Sequence, residues 1–237
     1  MKVLVLGDRG MLGHMVVKYL QHSNVEVIKS SLPWSMDKTN ISNFDGDYII
    51  NCIGAIPQKT SNFDINWEIP IWLDLHSPCK VIHPGTDCEM DNDDYGISKN
   101  IAGDYIRNSG TKTKALKSSI IGPELNGNAS LLEWFLSQDE EVIGYSKALW
   151  NGNTTLEWAK QCLSLMHDWD LYEVETILCG ETISKYNLLH TIKEVYSKDI
   201  EILSKPLGKD KCLRDAPLIY SKNIKDQLTE LKEFYNR

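Results

Sequence analysis

The sequence predicts an α/β fold: a doubly wound parallel sheet with helices on both faces and a small C-terminal lobe. Three observations predict it. Short apolar runs alternate with stretches of helical periodicity, the pattern of βαβ units. The first run passes directly into three evenly spaced glycines, and a later run ends on a hydroxyl residue, Thr86.

Residues 2–6 form an apolar, partly β-branched run stopped by glycine, as a buried parallel strand would be. Leu12, Met15, Val16, Tyr19 and Leu20 then recur at helical spacing and give one apolar face. Further strands are expected at 25–28, 47–53 and 79–83, with a largely buried helix over 66–75 entered through an irregular stretch containing proline. A helix over 95–108 carries Ile97, Ile101, Ala102, Tyr105 and Ile106 on one face, and 114–121 reads as the next strand. The remainder reads as a helix over 130–137, a short strand near Val142, a helix from Thr154 and a strand over 175–179. A helix N-capped by Ser184, a strand over 200–203 and a final helix near 223–236 close the chain. The sequence shows no internal repeat, low-complexity tract or linker.

With 237 residues the chain can bury one sizeable core and a small second lobe, not two domains of average size. Hydrophobic residues at 42% and charged residues at 24% suit a globular rather than a disordered chain. The formal net charge of −8 speaks against the basic footprint of a nucleic-acid binder or of a protein drawn to an anionic membrane. Cys52, Cys79, Cys88, Cys162, Cys179 and Cys212 are scattered, without a CxxC pair or a ligand-spaced His/Cys cluster. Neither a disulfide framework nor a metal site is expected, and a reducing compartment is the simplest setting. The N-terminal apolar run is too short for a signal peptide and no stretch has the length of a membrane span, so a cytoplasmic protein is expected.

The turn Gly7-Asp8-Arg9-Gly10-Met11-Leu12-Gly13 lies between the first strand and the first helix. Dinucleotide binding needs a tight turn, main chain close to a pyrophosphate, close helix–strand packing and a helix N-terminus facing the phosphates. Glycines in this place meet those needs, which makes Gly7, Arg9, Gly10, Met11, Leu12 and Gly13 candidate cofactor contacts. The second strand ends in Lys29-Ser30-Ser31 with no acid for a ribose 2′-hydroxyl, and Arg9 stands in the glycine turn. That favours NADP(H) over NAD(H), with Lys29 and Ser30 near the 2′-phosphate. Asn51-Cys52-Ile53-Gly54 ends its own strand, where glycine lets a cofactor pass close to the main chain.

Tyr95-Gly96-Ile97-Ser98-Lys99 is Y-x-x-x-K at the start of a helix. Four residues is about one turn, so both side chains project from one face. A lysine ammonium beside a tyrosine hydroxyl is expected to lower the phenol pKa, so that it gives or takes a proton near neutrality. The same lysine can hold the nicotinamide ribose. Thr86 stands at the carboxyl edge, where open α/β sheets bind ligands, and can donate to a carbonyl oxygen alongside Tyr95.

The pieces GDRGMLG, IINCIGAI, HPGTDC, YGISKNIAGDYI, LKSSIIGPEL, LLEWFLSQ, WNGNTTLEWAK and ISKYNLLHTIKEVY run almost end to end. In that order the chain resembles an extended short-chain dehydrogenase/reductase. Within that group it resembles the dTDP-4-dehydrorhamnose reductase family, in the branch acting on nucleotide-linked 6-deoxy-4-keto sugars, acetamido sugars included. The resemblance implies a Rossmann-type domain over 1–122 plus about 148–180. A smaller substrate lobe over about 123–147 and 181–237 is interleaved with it.

It further implies Thr86, Tyr95 and Lys99 as a catalytic triad, and Gly7, Gly10 and Gly13 against the pyrophosphate. The strand end at 118–121, with Ser118 and Ile120, would line the nicotinamide side. The nucleotide-linked keto sugar would meet Thr86 and Asp87 and lie against the lobe at Trp134, Trp150 and Asn151. No metal is implied, and homodimers built from two helices per subunit are common in this class. Two departures stand out. Only eight residues separate Thr86 from Tyr95, where the family carries a longer loop that helps to enclose the substrate, and Gly85 stands where a serine is usual.

The implied reaction is NADPH-dependent reduction of the 4-keto group, as in rhamnose-type nucleotide-sugar biosynthesis. A second chemistry stays open. Related epimerase/reductases carry a cysteine two residues after the hydroxyl residue and an acid/base after a Gly-Pro turn; here these are Cys88 and, after Gly122-Pro123, Glu124. A thiol and a carboxylate on opposite faces of a sugar could exchange the proton next to the carbonyl. A non-catalytic NADP-binding regulatory subunit is the third reading.

Overall fold

Alternate residues of the first strand point to opposite sides of a sheet, and both sides are apolar: Val3 and Val5 enter one core, Leu4 and Leu6 another. Such a strand must be covered on both faces, and the rest of the chain supplies the cover. The computed structural model describes residues 1–30, 33–215 and 217–235.

The chain runs β1 (Lys2–Leu6), α1 (Met11–Gln21), β2 (Glu26–Lys29), α2 (Trp34–Ser42), β3 (Tyr48–Asn51), α3 (Ile65–His76) and β4 (Lys80–Gly85). A 3-10 turn over Asp87–Met90 leads into α4 (Asp94–Ser109), β5 (Thr113–Lys117) and β6 (Ile120–Ile121). Next come α5 (Leu131–Leu136), β7 (Val142–Tyr145), β8 (Leu149–Trp150), β9 (Asn153–Thr154), α6 (Thr155–His167) and β10 (Glu175–Cys179). The last elements are β11 (Ile183–Ser184), α7 (Lys185–Tyr196), β12 (Ile202–Lys205), β13 (Leu218–Tyr220) and α8 (Ile224–Tyr235).

Among the described residues the main sheet has seven strands in the order β13-β10-β5-β4-β3-β1-β2, every pair parallel. The winding reverses between β1 and β3, the switch point over which such sheets bind ligands. On one face Val16 and Leu20 of α1 pack with Trp158, Cys162 and Leu165 of α6 against Val3, Val5, Ile50 and Leu116. The Trp158 indole also donates to the Leu116 carbonyl at 3.1 Å. On the other face Ile41 of α2 and Ile69 and Leu73 of α3 cover Leu4, Leu6, Ile49 and Val81. A third core joins Leu132 and Phe135 of α5 to Leu188 and Ile192 of α7 and Leu228 and Leu231 of α8, and Met15 of α1 reaches into it.

The sequence-based elements recur with small shifts. The run expected as one strand over 114–121 is two, β5 and β6. It breaks where the Ser118 N–H bonds Gly85 O at 3.1 Å and Ser119 O accepts the Asn153 N–H at 2.8 Å. The helix expected to be largely buried is α3, and only one face of it is. Asn66, Ile69, Pro70, Leu73 and Asp74 are buried, whereas Leu75 is exposed. Five elements have no counterpart in the sequence reading: α2, the edge strand β13 and the two-residue strands β8, β9 and β11. No helix among the described residues is long and apolar enough to cross a membrane, and no group of three or more His, Cys, Asp or Glu is placed to hold a metal ion.

Candidate active site

The glycine turn is shaped by close approach. Gly7 has φ +75°, and a Cβ there would lie 2.8 Å from the Cys52 main chain; a Cβ on Gly13 would lie 2.1 Å from Gly7 O. The turn therefore packs directly on the end of β3, with α1 directly on the turn. Gly10 is the N-cap of α1 with no side-chain cap, and the first turn holds no acid. Its N–H groups are thus left for an anion.

Arg9 is exposed beside them, and Met11 is half-buried. Leu12 points into the core, so its main chain is the part that can meet a cofactor. At the end of β2 Lys29 is exposed. The Ser30 hydroxyl donates to Asp37 of α2, whose other oxygen accepts from Asn40 at 3.0 Å. Ser31 lies outside the described residues.

The ends of β3 and β4 carry the next layer. Asn51 is fully buried; its amide donates to His83 Nδ1 at 3.2 Å and its oxygen accepts the Ile53 N–H at 3.1 Å. Thr86 follows β4 and caps the 3-10 turn. Its oxygen accepts the Cys88 N–H at 3.3 Å and its hydroxyl donates to Asp87 at 3.1 Å. Asp93 caps α4 through the Gly96 N–H at 2.7 Å, which brings Tyr95 and Lys99 up beside that turn. Lys99 Nζ lies 5.9 Å from the centre of the Tyr95 ring and 3.1 Å from where a Gly54 Cβ would stand. Phe63 packs edge-on against Tyr95, with ring centres 5.5 Å apart.

Burial dominates the titration of these groups. It pulls Lys99 down to about 8, opposed by Glu89 and Cys88. It pushes Tyr95 well above the ordinary phenol range, with Cys88, Asp87, Asp93 and Glu89 adding to the shift. Burial and then Asp87 raise the Cys88 thiol to about 11. Burial, then Lys99, lowers His83 to about 3, so its imidazole is neutral. The expectation that Lys99 lowers the Tyr95 pKa is therefore corrected. Four acidic neighbours and burial outweigh an ammonium that lies over the ring, and the hydroxyl is held protonated, poised as an acid.

Other sequence-based candidates are turned inward. The Ser118 hydroxyl accepts from Asn153 at 2.9 Å and donates to Ser119 O at 3.1 Å, and Ile120 packs on the sheet core. Trp150, read as a substrate contact, is buried and donates its indole N–H to Ser119 Oγ at 2.8 Å. Asn151, read the same way, spends both ends of its amide on Leu213, at 2.9 and 3.0 Å. Trp150 packs in the third core while bonded to the link between β5 and β6, and Asn151 fixes the main chain at Leu213. Trp134 remains half-buried at the edge of the lobe core. Glu124, with a side chain 6% exposed, accepts the Ser130 N–H at 2.8 Å and lies 3.6 Å from Lys59 Nζ.

Three groups of residues escaped the sequence reading. Asn66 of α3 accepts the Ala55 N–H at 2.8 Å and donates to Ser98 at 3.0 Å, tying the loop after β3 to the first turn of α4. Its signal is an asparagine one turn before the core residues Ile69 and Pro70 and so on the buried face of the helix. Lys211, in the segment before β13, pairs with Asp91 at the end of the 3-10 turn. Glu89 and Lys117 form a buried pair behind Thr86.

No protein-family model matches the sequence, and no curated protein matches it significantly. Solved structures match it in fold. The dTDP-4-dehydrorhamnose reductase of Clostridium acetobutylicum is 18% identical over 100% of both chains, with a TM-score of 0.77. The dTDP-4-dehydrorhamnose reductase of Bacillus anthracis, in complex with NADP, is 13% identical over 97% of this chain and 98% of that one, with a TM-score of 0.78. The GDP-mannoheptose C4 reductase of Campylobacter jejuni, with NADP bound, is 13% identical over 100% and 98%, with a TM-score of 0.71. The chain has the fold of these nucleotide-sugar reductases, a Rossmann-type α/β sheet with a second lobe.

Proposed function

We propose that this chain is a cytoplasmic, NADPH-dependent reductase of a nucleotide-linked 4-keto-6-deoxyhexose, acting in nucleotide-sugar biosynthesis. A fold alone does not fix an activity. The observation that supports the proposal is the packing of α4, which carries Tyr95 and Lys99, beside the turn that Thr86 caps after β4, with Lys99 against Gly54. The glycine turn fits a dinucleotide: a Cβ at Gly7 or Gly13 would fill the cradle, and the first turn of α1 has no side-chain cap. Arg9 and Lys29, both exposed, suit a 2′-phosphate, whereas the Asp37 carboxylate is buried and engaged by Ser30 and Asn40.

The cofactor, when bound, supplies hydride to C4 of the sugar. Tyr95, held protonated, gives its proton to the alkoxide oxygen formed there. Lys99 holds the nicotinamide ribose beside Tyr95. The Thr86 hydroxyl, now shared with Asp87, turns to the carbonyl oxygen. Plain reduction is favoured over prior epimerisation, because Glu124 is taken up by Ser130 and Lys59 and Cys88 is held as a thiol. Ile97 and Ile101 of α4 and Leu75 of α3 are exposed apolar side chains that support a homodimer through this pair of helices.

The test is to add dTDP-, UDP- and GDP-linked 4-keto-6-deoxy sugars to the purified protein with NADPH and to follow loss of NADPH absorbance in deuterated solvent. Oxidation with one sugar, without solvent deuterium beside the carbonyl carbon, is expected. Tight NADPH binding with no turnover on any of them would overturn the proposal in favour of a regulatory subunit.

A further inference from the structure

One helical turn behind the glycine cradle stands a buried histidine with no part in the proton and hydride transfers. His14 of α1 is 7% exposed. Its Nδ1 lies 2.8 Å from Gly10 O, and a carbonyl oxygen only accepts, so Nδ1 carries the proton. In the neutral ring this leaves Nε2 as an acceptor, and the Tyr235 hydroxyl of α8 donates to it at 3.0 Å. The two rings meet edge-on, with centres 5.7 Å apart.

Two other histidines bond the carbonyl four residues back, His22 to Lys18 O at 2.7 Å and His76 to Trp72 O at 2.9 Å. Both are exposed and stand at the end of a helix. His14 is buried and stands at the start of one. It also bonds an oxygen that the main chain already satisfies, since Gly10 O accepts the His14 N–H at 3.1 Å.

The second donor therefore adds orientation. Gly10 O belongs to the same planar unit as the Met11 N–H, and in a trans peptide the two point in opposite directions. Two donors from His14 hold the oxygen back along α1, which turns the Met11 N–H forward, out of the helix start. On its other side Gly10 is held by its own N–H, which donates to Gly7 O at 2.9 Å. Met11 opens the first turn, whose N–H groups no side chain caps. The ring is backed by α8: Lys18 Nζ lies 4.4 Å from the centre of the Tyr235 ring, and His22 packs edge-on against Phe234 at 5.5 Å.

We propose that His14 is a positioning residue for the dinucleotide: its ring N–H fixes the Gly10–Met11 peptide, so that the Met11 N–H is set for a phosphate oxygen of NADPH before the cofactor arrives. The proposal rests on reading the glycine turn as the NADPH cradle and not on the keto-sugar chemistry. A donor ordered in advance strengthens binding because its ordering is not charged to the complex. Its loss is therefore read in NADPH affinity.

Three variants separate this role from packing. His14→Phe keeps a ring against Tyr235 and removes the donor. His14→Asn returns an amide N–H to the same carbonyl, as Asn108 does to Asp104 O at 2.9 Å. Tyr235→Phe removes the bond to α8 and leaves the one to Gly10. NADPH affinity is measured by fluorescence titration, with thermal unfolding of each variant alongside; His14→Leu replaces His14→Phe if that fails to fold. His14→Phe is expected to weaken NADPH about three- to tenfold, with His14→Asn and Tyr235→Phe within about twofold of the parent protein. Parent-like affinity in His14→Phe overturns the proposal, and so does a loss of equal size in His14→Asn or Tyr235→Phe. A parent protein that does not bind NADPH overturns the cradle reading and this proposal together. The expected pattern in a protein that reduces no keto sugar overturns the reductase reading alone.

Discussion

In the proposed reaction Tyr95 is the acid. Its hydroxyl lies among Cys88, Asp87, Asp93 and Glu89, all of which oppose its ionisation, and burial opposes it most. It therefore keeps its proton across the working pH range and can release it to an alkoxide, a much stronger base. Removing that proton source while keeping the ring against Phe63 isolates its role. Tyr95→Phe is expected to lower kcat by about 10²–10⁴-fold while NADPH affinity, measured by fluorescence titration, changes little. Turnover close to the parent protein's would remove Tyr95 from the chemistry. Loss of NADPH affinity as well would make its role structural.

The elements around the site are held by a few buried polar anchors. Asp74, at the end of α3, accepts the N–H groups of Thr111, Lys112 and Thr113 at 3.0–3.1 Å and so sets where β5 begins. Burial opposes its charge, but these hydrogen bonds outweigh burial and hold its carboxyl below the ordinary value. A carboxylate with a depressed pKa stabilises the fold fully above its unfolded pKa of about 3.9, and that contribution is lost as pH falls through the lower folded value. Asp74→Asn is expected to cost about 2–4 kcal/mol in urea unfolding near neutral pH and to flatten the acid limb of stability; an unchanged midpoint would contradict this. Strands and long helices were legible in the sequence because their periodicity is local. The helix α2 was not, since only Asp37 and Ile41 of its residues are buried and the run carries little apolar pattern. Nor was β13, three residues at a sheet edge with Tyr220 74% exposed, placed only by pairing with β10. The site divides in the same way. Tyr95 and Lys99 share one helical turn, and Thr86 ends a strand. Glu89–Lys117 and Lys211–Asp91 join residues 28 and 120 apart, and spacing gives no hint of such contacts. Trp150 and Asn151 were misread because an aromatic and an amide look alike in sequence whether they face a ligand or the lobe core.

On the scale of the whole molecule, two contacts tie the parts of the fold to one another. Met15 of α1 is shared with the lobe core, and Lys211 reaches from the segment before β13 to Asp91. Asp91, the partner of this lysine, lies in the short connection from Thr86 to Tyr95. Away from the site, Ile97 and Ile101 on α4 are 48% and 42% exposed and Leu75 on α3 is 60% exposed, an apolar face suited to a second copy of the chain. Sedimentation of the parent protein is expected to give a dimer and Ile97→Asp/Ile101→Asp a folded monomer; a monomeric parent would contradict the dimer. In the proposed reaction hydride passes from NADPH to C4 of a nucleotide-linked keto sugar. The most direct test is to supply NADPH deuterated at the reactive carbon of the nicotinamide and to examine the sugar product by NMR. Deuterium is expected at C4 and nowhere else on the sugar. Consumption of the keto sugar without deuterium at C4, or no consumption at saturating NADPH, would contradict it.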